Sequence, residues 1–168
     1  LHRKMKNTLI LFGFALLSAG CATYTNPLTG KQERTMYTSQ DEVDMGAAVD
    51  VKLKKENKFV SDERVAAVGA RIVAVADRTD ISYKFAVIEN KEVNAFAVPG
   101  GFVYVYTGLL KAVASDDELA SVVAHEIAHI VNRDSVHAMQ RSMMYAIPAT
   151  VLFGSGRYAA IQKAVDTA

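Results

Sequence analysis

The feature that most constrains this chain of 168 residues is one short run, His125-Glu126-Ile127-Ala128-His129. On an α-helix, four residues advance about 400°, so the two histidine rings lie on one face, one turn apart. This spacing lets both rings reach one tetrahedral zinc ion. Glu126 projects beside them, where it can act as general base toward a water activated by zinc. The run therefore predicts a helix with His125 and His129 as ligands of one zinc ion and Glu126 as the catalytic residue.

The residues around the run favour a helix. Ser115 followed by Glu118 has the pattern of a capping box, and apolar residues then recur at helical spacing. Neither glycine nor proline occurs in residues 115–147, so we expect one helix across that range. The alternative interpretation is a buried helix that carries two structural histidines.

The composition is that of an ordinary globular protein. The chain is 51% hydrophobic and 22% charged, with a formal net charge of +1, and its length favours one domain. A small basic run, Lys52 to Lys58, is interrupted by Glu56, which indicates a solvated helix end. We expect no nucleic-acid partner.

The N-terminus has the pattern of a targeting segment. Basic residues precede an apolar run at residues 9–19, which is too short to span a bilayer, so residues 1–20 are predicted to be a signal peptide. Cys21 is the only cysteine, and the residues before it resemble a bacterial lipoprotein processing site. Lipid on Cys21 would anchor the domain to a membrane. Ala22 after the cysteine resembles the sorting pattern for the outer membrane, facing the periplasm.

The rest of the chain predicts an α+β class, because helical and strand patterns are segregated along it. Residues 21–38 have the turn chemistry of a tether or arm, and residues 39–168 form the predicted domain. Ser39 with Glu42 predicts a helix that runs to about Asn57, and Ser61 a second over about residues 62–78. A small, mainly antiparallel sheet is expected from the strand patterns at 83–88, 93–98 and 102–106, before a short helix that begins at Thr107.

Three motifs together carry a family resemblance. They are Asn-Ala-Phe-Ala-Val-Pro-Gly-Gly at 94–101, Tyr-Thr-Gly-Leu-Leu at 106–110, and Asp-Glu-Leu-Ala at 117–120 leading into the His-Glu-x-x-His helix. The chain resembles the minigluzincin-like zinc metallopeptidases that include CAAX prenyl endopeptidases, the mitochondrial protease Oma and bacterial periplasmic proteases of the BepA and LoiP type. The resemblance covers about residues 22–140. It implies that His125 and His129 are zinc ligands, that Glu126 is the general base, and that Asn94, Ala95 and Phe96 shape the substrate cleft.

The chain departs from the family pattern in two places. Family members often carry histidine after the arginine that follows the motif, whereas Arg133 is followed by Asp134. The family's third ligand is a glutamate on a later helix, but no glutamate follows Glu126, and only Asp134 and Asp166 remain as carboxylates. On a continuous helix Asp134 would lie about 140° around from His129, on the wrong face. We therefore expect the chain to be the N-terminal part of a longer protein.

The resemblance implies a zinc-dependent metalloendopeptidase that acts on misfolded or unassembled envelope proteins, with polypeptides as substrates. The alternative is a truncated or non-catalytic peptidase fold that binds envelope proteins as a chaperone-like module. A metal-storage or sensing protein is a third interpretation, and it would call for more histidine and cysteine than this chain has. The oligomeric state cannot be read from the sequence.

Overall fold

The computed structural model describes residues 22–26 and 29–153 of the chain. The predicted signal segment, Cys21 and Asp166 lie outside this part.

Six strands and five helices are found in the described residues. The strands are β1 (Ala22–Thr25), β2 (Gln32–Thr35), β3 (Phe59–Val60), β4 (Lys84–Ile88), β5 (Ala95–Val98) and β6 (Phe102–Tyr106). The helices are α1 (Ser39–Glu56), α2 (Glu63–Val73), α3 (Thr107–Ala112), α4 (Asp116–Val131) and α5 (Asp134–Phe153). Helices and strands are segregated as predicted, so the α+β class is confirmed.

Two separate sheets are present in this part of the chain. Strands β1 and β2 form an antiparallel hairpin within the segment expected to be an arm. The larger sheet has the order β3-β4-β6-β5, with antiparallel pairing of β3 with β4 and of β5 with β6. The central pair, β4 with β6, is parallel, so the sheet is mainly antiparallel, as expected, with one parallel pair. The chain passes from β4 to the sheet edge at β5 and turns back, which sends β6 along β4 in the same direction.

A tight turn at Pro99-Gly100-Gly101 joins β5 to β6, since Val98 pairs directly with Phe102. Gly100 has φ +78° and Gly101 has φ +96°, a region that favours glycine. The turn also packs closely on α1, because a Cβ on Gly100 would lie 2.4 Å from the Val43 Cα. The turn thereby fixes the end of the edge strand β5 against α1.

The larger sheet is covered on both faces. One face carries the main core, in which Val103 and Val105 of β6 pack with α2 and α4. The opposite face carries an aromatic cluster that includes Phe102 and Tyr104 and packs against Leu53 of α1. Alternation of side chains along β6 explains this division, because neighbouring residues point to opposite faces. The helix with the His-Glu-x-x-His run thus lies on the main-core face.

Four helix boundaries differ from the sequence expectations. The N-cap of α1 is Thr38, whose side chain caps Asp41, and the N-cap of α2 is Asp62; each differs by one residue from prediction. Helix α2 ends at Val73, not near residue 78.

The largest correction concerns the motif helix. The expectation of one continuous helix over 115–147 is wrong, because α4 ends at Val131 and Arg133 adopts a left-handed φ of 56°.

A membrane-spanning helix is not found in residues 22–26 and 29–153, since none of their helices combines the necessary length and apolar character.

Candidate metal centre and active site

Helix α4 presents the motif on its outer face because its inner face is fixed in the core. Val123, Ile127 and Ile130 are almost fully buried. The opposite face therefore presents His125, which is exposed, with Glu126 and His129, which are half-buried. Ser115 caps the helix by accepting from the Glu118 backbone N–H, as the sequence predicts. The structure thus brings together the three motif side chains on an accessible surface.

The two histidine rings are arranged as ligands of one ion would be. His125 Nε2 and His129 Nε2 lie 3.1 Å apart. Two nitrogens that each bind zinc at about 2.0–2.1 Å with a tetrahedral angle lie about 3.3 Å apart. The observed separation is therefore within a few tenths of an ångström of what zinc requires, and the pair fits two of the protein ligands.

A third ligand is not supplied by the described part of the chain. No group of three histidine, cysteine, aspartate or glutamate side chains that could hold a metal ion occurs there. Asp134 lies close to the pair, but its Oδ2 is 2.6 Å from His129 Nδ1. Nδ1 lies on the side of the ring away from Nε2, so Asp134 in this arrangement supports His129 from behind and does not face the metal position.

The position of Asp134 corrects a sequence expectation. A continuous helix would have carried Asp134 to the wrong face, far from His129. The left-handed turn at Arg133 instead starts a new helix, α5, whose first residue is Asp134. The side chain therefore points back to the last turn of α4.

Strand β5 runs beside α4 and forms an edge of the larger sheet. Asn94 precedes the strand, and its carbonyl oxygen accepts from the Tyr106 backbone N–H at 3.0 Å. Ala95 packs on the main-core face with α4. Phe96 points to the other face and stacks on Tyr104 with ring centroids 5.0 Å apart. The backbone of the predicted cleft segment is thus next to the motif helix, while the Phe96 side chain is not.

A buried charge cluster lies beneath the C-terminal end of α4. Glu42 of α1 is 1% exposed, and its Oε2 accepts from Arg78 Nη1 at 2.8 Å. Its Oε1 lies 2.9 Å from Arg133 Nη1, without hydrogen-bond alignment. Arg78 Nη1 also donates at 2.9 Å to the Ile130 carbonyl oxygen, which accepts from the Arg133 backbone N–H as well. Helix α1 and the chain after α2 therefore hold the end of the motif helix.

Burial and the neighbouring charges shift the pKa values of the two arginines of this cluster in opposite directions. Burial lowers the pKa of Arg78, but the hydrogen bond and charge of Glu42 outweigh it, so the pKa of Arg78 is raised. Burial and the neighbouring Arg78 charge lower the pKa of Arg133. Glu42 is the shared anion of both guanidinium groups.

The N-terminal hairpin contacts the start of α5. The Tyr24 hydroxyl donates to Glu33 Oε2 at 2.9 Å and lies 2.8 Å from His137 Nε2. The Arg133 guanidinium lies over the Tyr24 ring, 4.4 Å from its centroid. His137 therefore packs against the N-terminal hairpin. Burial, followed by the hydrogen bond to Glu33, raises the pKa of Tyr24 to about 12.

Sequence reasoning missed the roles of Glu42, Arg78 and Asp134 around the motif. Asn132 and Asp134 flank the break between α4 and α5, and asparagine and aspartate are common at helix ends. That local signal could have revealed the boundary. The pairing of Glu42 with Arg78 spans 36 residues and leaves no local pattern.

The comparison with known proteins identifies the family. Residues 60–167 match the family model described as Peptidase family M48. This chain belongs to peptidase family M48. The resemblance predicted from the three motifs is therefore confirmed. M48 peptidases are metal-dependent, which agrees with the paired histidines of α4.

Named relatives of this M48 chain include bacterial and mitochondrial proteases. A putative beta-barrel assembly-enhancing protease of Vibrio cholerae serotype O1 is 41% identical over 71 residues, which cover 42% of this chain and 15% of that protein. The mitochondrial metalloendopeptidase OMA1 of Schizosaccharomyces pombe is 44% identical over 56 residues, covering 33% and 17%. The beta-barrel assembly-enhancing protease of Escherichia coli K12 is 27% identical over 138 residues, covering 76% and 28%. The aligned parts thus span less than a third of each of these relatives.

Proposed function

We propose that this M48 chain is the peptidase part of a zinc-dependent metalloendopeptidase. The observation that carries the proposal is the 3.1 Å separation of His125 Nε2 and His129 Nε2 on the accessible face of α4, with Glu126 next to them. Membership of family M48 supports a hydrolase that acts on peptide bonds. The relatives named as proteases support the same reaction class.

Zinc would be held by His125 and His129, with a further ligand from outside the described residues. When bound, the ion supplies Lewis acidity, which favours ionisation of water and polarises a peptide carbonyl. A pair of imidazoles suits zinc better than magnesium or calcium, which prefer oxygen ligands.

The role of Glu126 follows from its place on the helix. It precedes His129 by three positions and follows His125 directly, so its carboxylate lies at the edge of the histidine face. From there it accepts the proton of the attacking water and delivers it to the leaving amine as the peptide bond breaks.

Substrate binding is assigned to the free edge of β5. The strand pairs with β6 on one side, and no strand of the described residues pairs with its other side. An extended peptide can add to such an edge through main-chain hydrogen bonds, which recognise backbone more than side chains. His129 lines one pocket with Ala97 and Val98 of β5, so a peptide bound along this strand would pass close to the motif. This mode suits a protease of broad specificity.

Unfolded or unassembled proteins of the bacterial envelope are the proposed substrates. Two of the relatives are named beta-barrel assembly-enhancing proteases, and these names support envelope proteins as the substrate class. The N-terminal segment, in which basic residues precede an apolar run, supports export of the protein. Cys21, which follows this segment, supports attachment to a membrane through lipid. The proposed location is the outer membrane, with the domain facing the periplasm.

Replacement of Glu126 by glutamine tests the proposal in the full-length protein. The variant should lose cleavage of an unfolded protein substrate by about 10²–10⁴-fold, since glutamine cannot accept the proton. Zinc content, measured in parallel, should be unchanged. Glu56→Gln, the same change at the exposed end of α1, is the matched control and should cleave normally. A Glu126→Gln variant that cleaves at the wild-type rate would contradict the proposal.

One observation favours a second candidate, a non-catalytic module that binds envelope proteins. The described residues supply only two metal ligands, whereas catalytic zinc sites usually have three from the protein. The same experiment separates the two candidates. A binding module would bind unfolded protein equally well before and after the Glu126→Gln change, and the wild-type protein would release no cleavage products.

A further inference from the structure

Asp134 makes a close contact with one of the two proposed ligands. Its Oδ2 lies 2.6 Å from His129 Nδ1, slightly shorter than the roughly 2.7–2.9 Å of a hydrogen bond from nitrogen to a charged oxygen. His129 uses its other nitrogen, Nε2, toward His125 at 3.1 Å. The two nitrogens of the ring therefore have separate partners. Asp134 is on the side that a metal held at Nε2 would not occupy.

Asp134 reaches His129 because the helix is broken between the two residues. Helix α4 ends at Val131, and the φ of 56° at Arg133 interrupts the helical path before α5 begins at Asp134. A left-handed conformation is unfavourable for a residue other than glycine and persists only where its surroundings hold it. The conformation of Arg133 thus needs a structural support.

The Arg133 side chain supplies that support. Its Nη1 lies 2.9 Å from Glu42 Oε1, and its Nη2 donates to Ser39 Oγ at 2.9 Å. The guanidinium also covers the Tyr24 ring. Arg133 is 6% exposed, so these contacts are shielded from water. The turn is therefore fixed to α1 and to the N-terminal hairpin, and Asp134 follows it directly.

The two histidines are not supported equally. Within residues 22–26 and 29–153, the one hydrogen bond of the His125 ring is the contact with His129. His129 has both this contact and the carboxylate of Asp134. A carboxylate behind a ligating imidazole fixes the ring and leaves the far nitrogen unprotonated for the metal.

We propose that Asp134 is a positioning residue for His129. It accepts the Nδ1 proton, holds the neutral ring in the tautomer with a free Nε2, and fixes the ring plane toward His125. The rigid turn at Arg133, secured by Glu42, keeps the carboxylate in place. The inference rests on the proposed function in one respect, namely that His129 Nε2 binds zinc.

Two readouts on the full-length protein test the proposal. Nitrogen NMR of the metal-free protein, at a pH where imidazole is neutral, reports which nitrogen of His129 carries the proton. The wild type should show the Nδ1 proton, and Asp134→Ala should shift His129 toward the Nε2 form. Zinc affinity, measured by competition with a chelator, should fall about 10–100-fold in Asp134→Ala.

One conservative variant and one control variant make the test more specific. Asp134→Asn should lose less affinity than Asp134→Ala, because an amide oxygen can still accept the Nδ1 proton without supplying charge. Asp117→Asn, a change in the first turn of α4, is the control and should bind zinc like the wild type. A variant that merely loosened the fold would lower thermal stability without changing the tautomer.

The two readouts separate a failure of the positioning role of Asp134 from a failure of the proposed zinc-dependent function. Unchanged tautomer and unchanged zinc affinity in a folded Asp134→Ala variant would overturn the positioning role of Asp134. A wild-type protein that binds no zinc would overturn the proposed function, while the tautomer measurement would still report on the contact between Asp134 and His129.

Discussion

Glu42 and Arg78 form a buried ion pair, with Glu42 Oε2 and Arg78 Nη1 2.8 Å apart and both side chains at most 5% exposed. The same Arg78 nitrogen donates to the Ile130 carbonyl oxygen. One pair therefore connects α1, the chain after α2 and the last turn of the motif helix. A site on α4 can keep its geometry because this end of the helix is not free to move.

Removal of Glu42 should destabilise the domain strongly. Glu42→Ala leaves Arg78 and Arg133 without the one buried anion that they share within the described residues, and breaking a buried pair in this way costs about 3–5 kcal/mol. Denaturant unfolding of the variant should show a loss of this size. Asp80→Ala is the control, because Asp80 also contacts Arg78 but is 50% exposed, and its loss should cost about 1 kcal/mol or less. Equal losses in the two variants would contradict the importance of burial here.

The turn before β6 gives a second prediction. Gly100 and Gly30 both have positive φ, but a Cβ at Gly100 would lie 2.5 Å from the Glu42 carbonyl oxygen, whereas one at Gly30 meets nothing within 4 Å. Gly30→Ala should cost only backbone strain, about 1–2 kcal/mol. Gly100→Ala should cost about 1–3 kcal/mol more, because the turn must move away from α1. Denaturant unfolding of both variants measures the difference, and similar losses would show that packing on α1 contributes nothing.

Alkaline pH should weaken the contact of the N-terminal hairpin. The pKa of Tyr24 is raised from 10.0 to about 12, chiefly by burial and then by Glu33. Because the folded protein holds this proton more tightly than the unfolded chain, the stabilisation is complete below about pH 10 and is lost between about pH 10 and 12.

The ultraviolet titration of tyrosinate, taken as the difference between wild type and Tyr24→Phe, measures the pKa of Tyr24 alone. The wild type should lose stability across that range more steeply than Tyr24→Phe. Parallel loss in the two proteins would show that the Tyr24 hydroxyl is not held by Glu33 and His137.

Local patterns in the sequence predicted much of the fold. Strand β6 and the start of α3 at Thr107 were predicted at their observed positions. Alternating and β-branched residues identify β6, and the Pro-Gly-Gly turn marks its start. The Ser115 cap likewise placed the beginning of the motif helix. These features depend on neighbouring residues, so a single sequence contains the necessary information.

Contacts between distant residues could not be read in the same way. The parallel pairing of β4 with β6 depends on where β5 inserts, which no local pattern specifies. The helix break at Arg133 is stabilised by Glu42, which lies far away in the sequence. The wrong expectation of a continuous helix removed Asp134 from the neighbourhood of His129, where the structure places it. The candidate ligands were thus predictable from spacing, and their support was not.

Zinc content tests the central claim, that His125 and His129 bind a metal together, most directly. The full-length protein, dialysed after purification, should retain about one zinc per chain, and His129→Ala should retain none. His137→Ala is the matched control, because this histidine lies on α5 and contacts Tyr24, so it should keep the metal. A folded His129→Ala variant that retains zinc like the wild type, or a wild-type protein that retains none, would contradict the account.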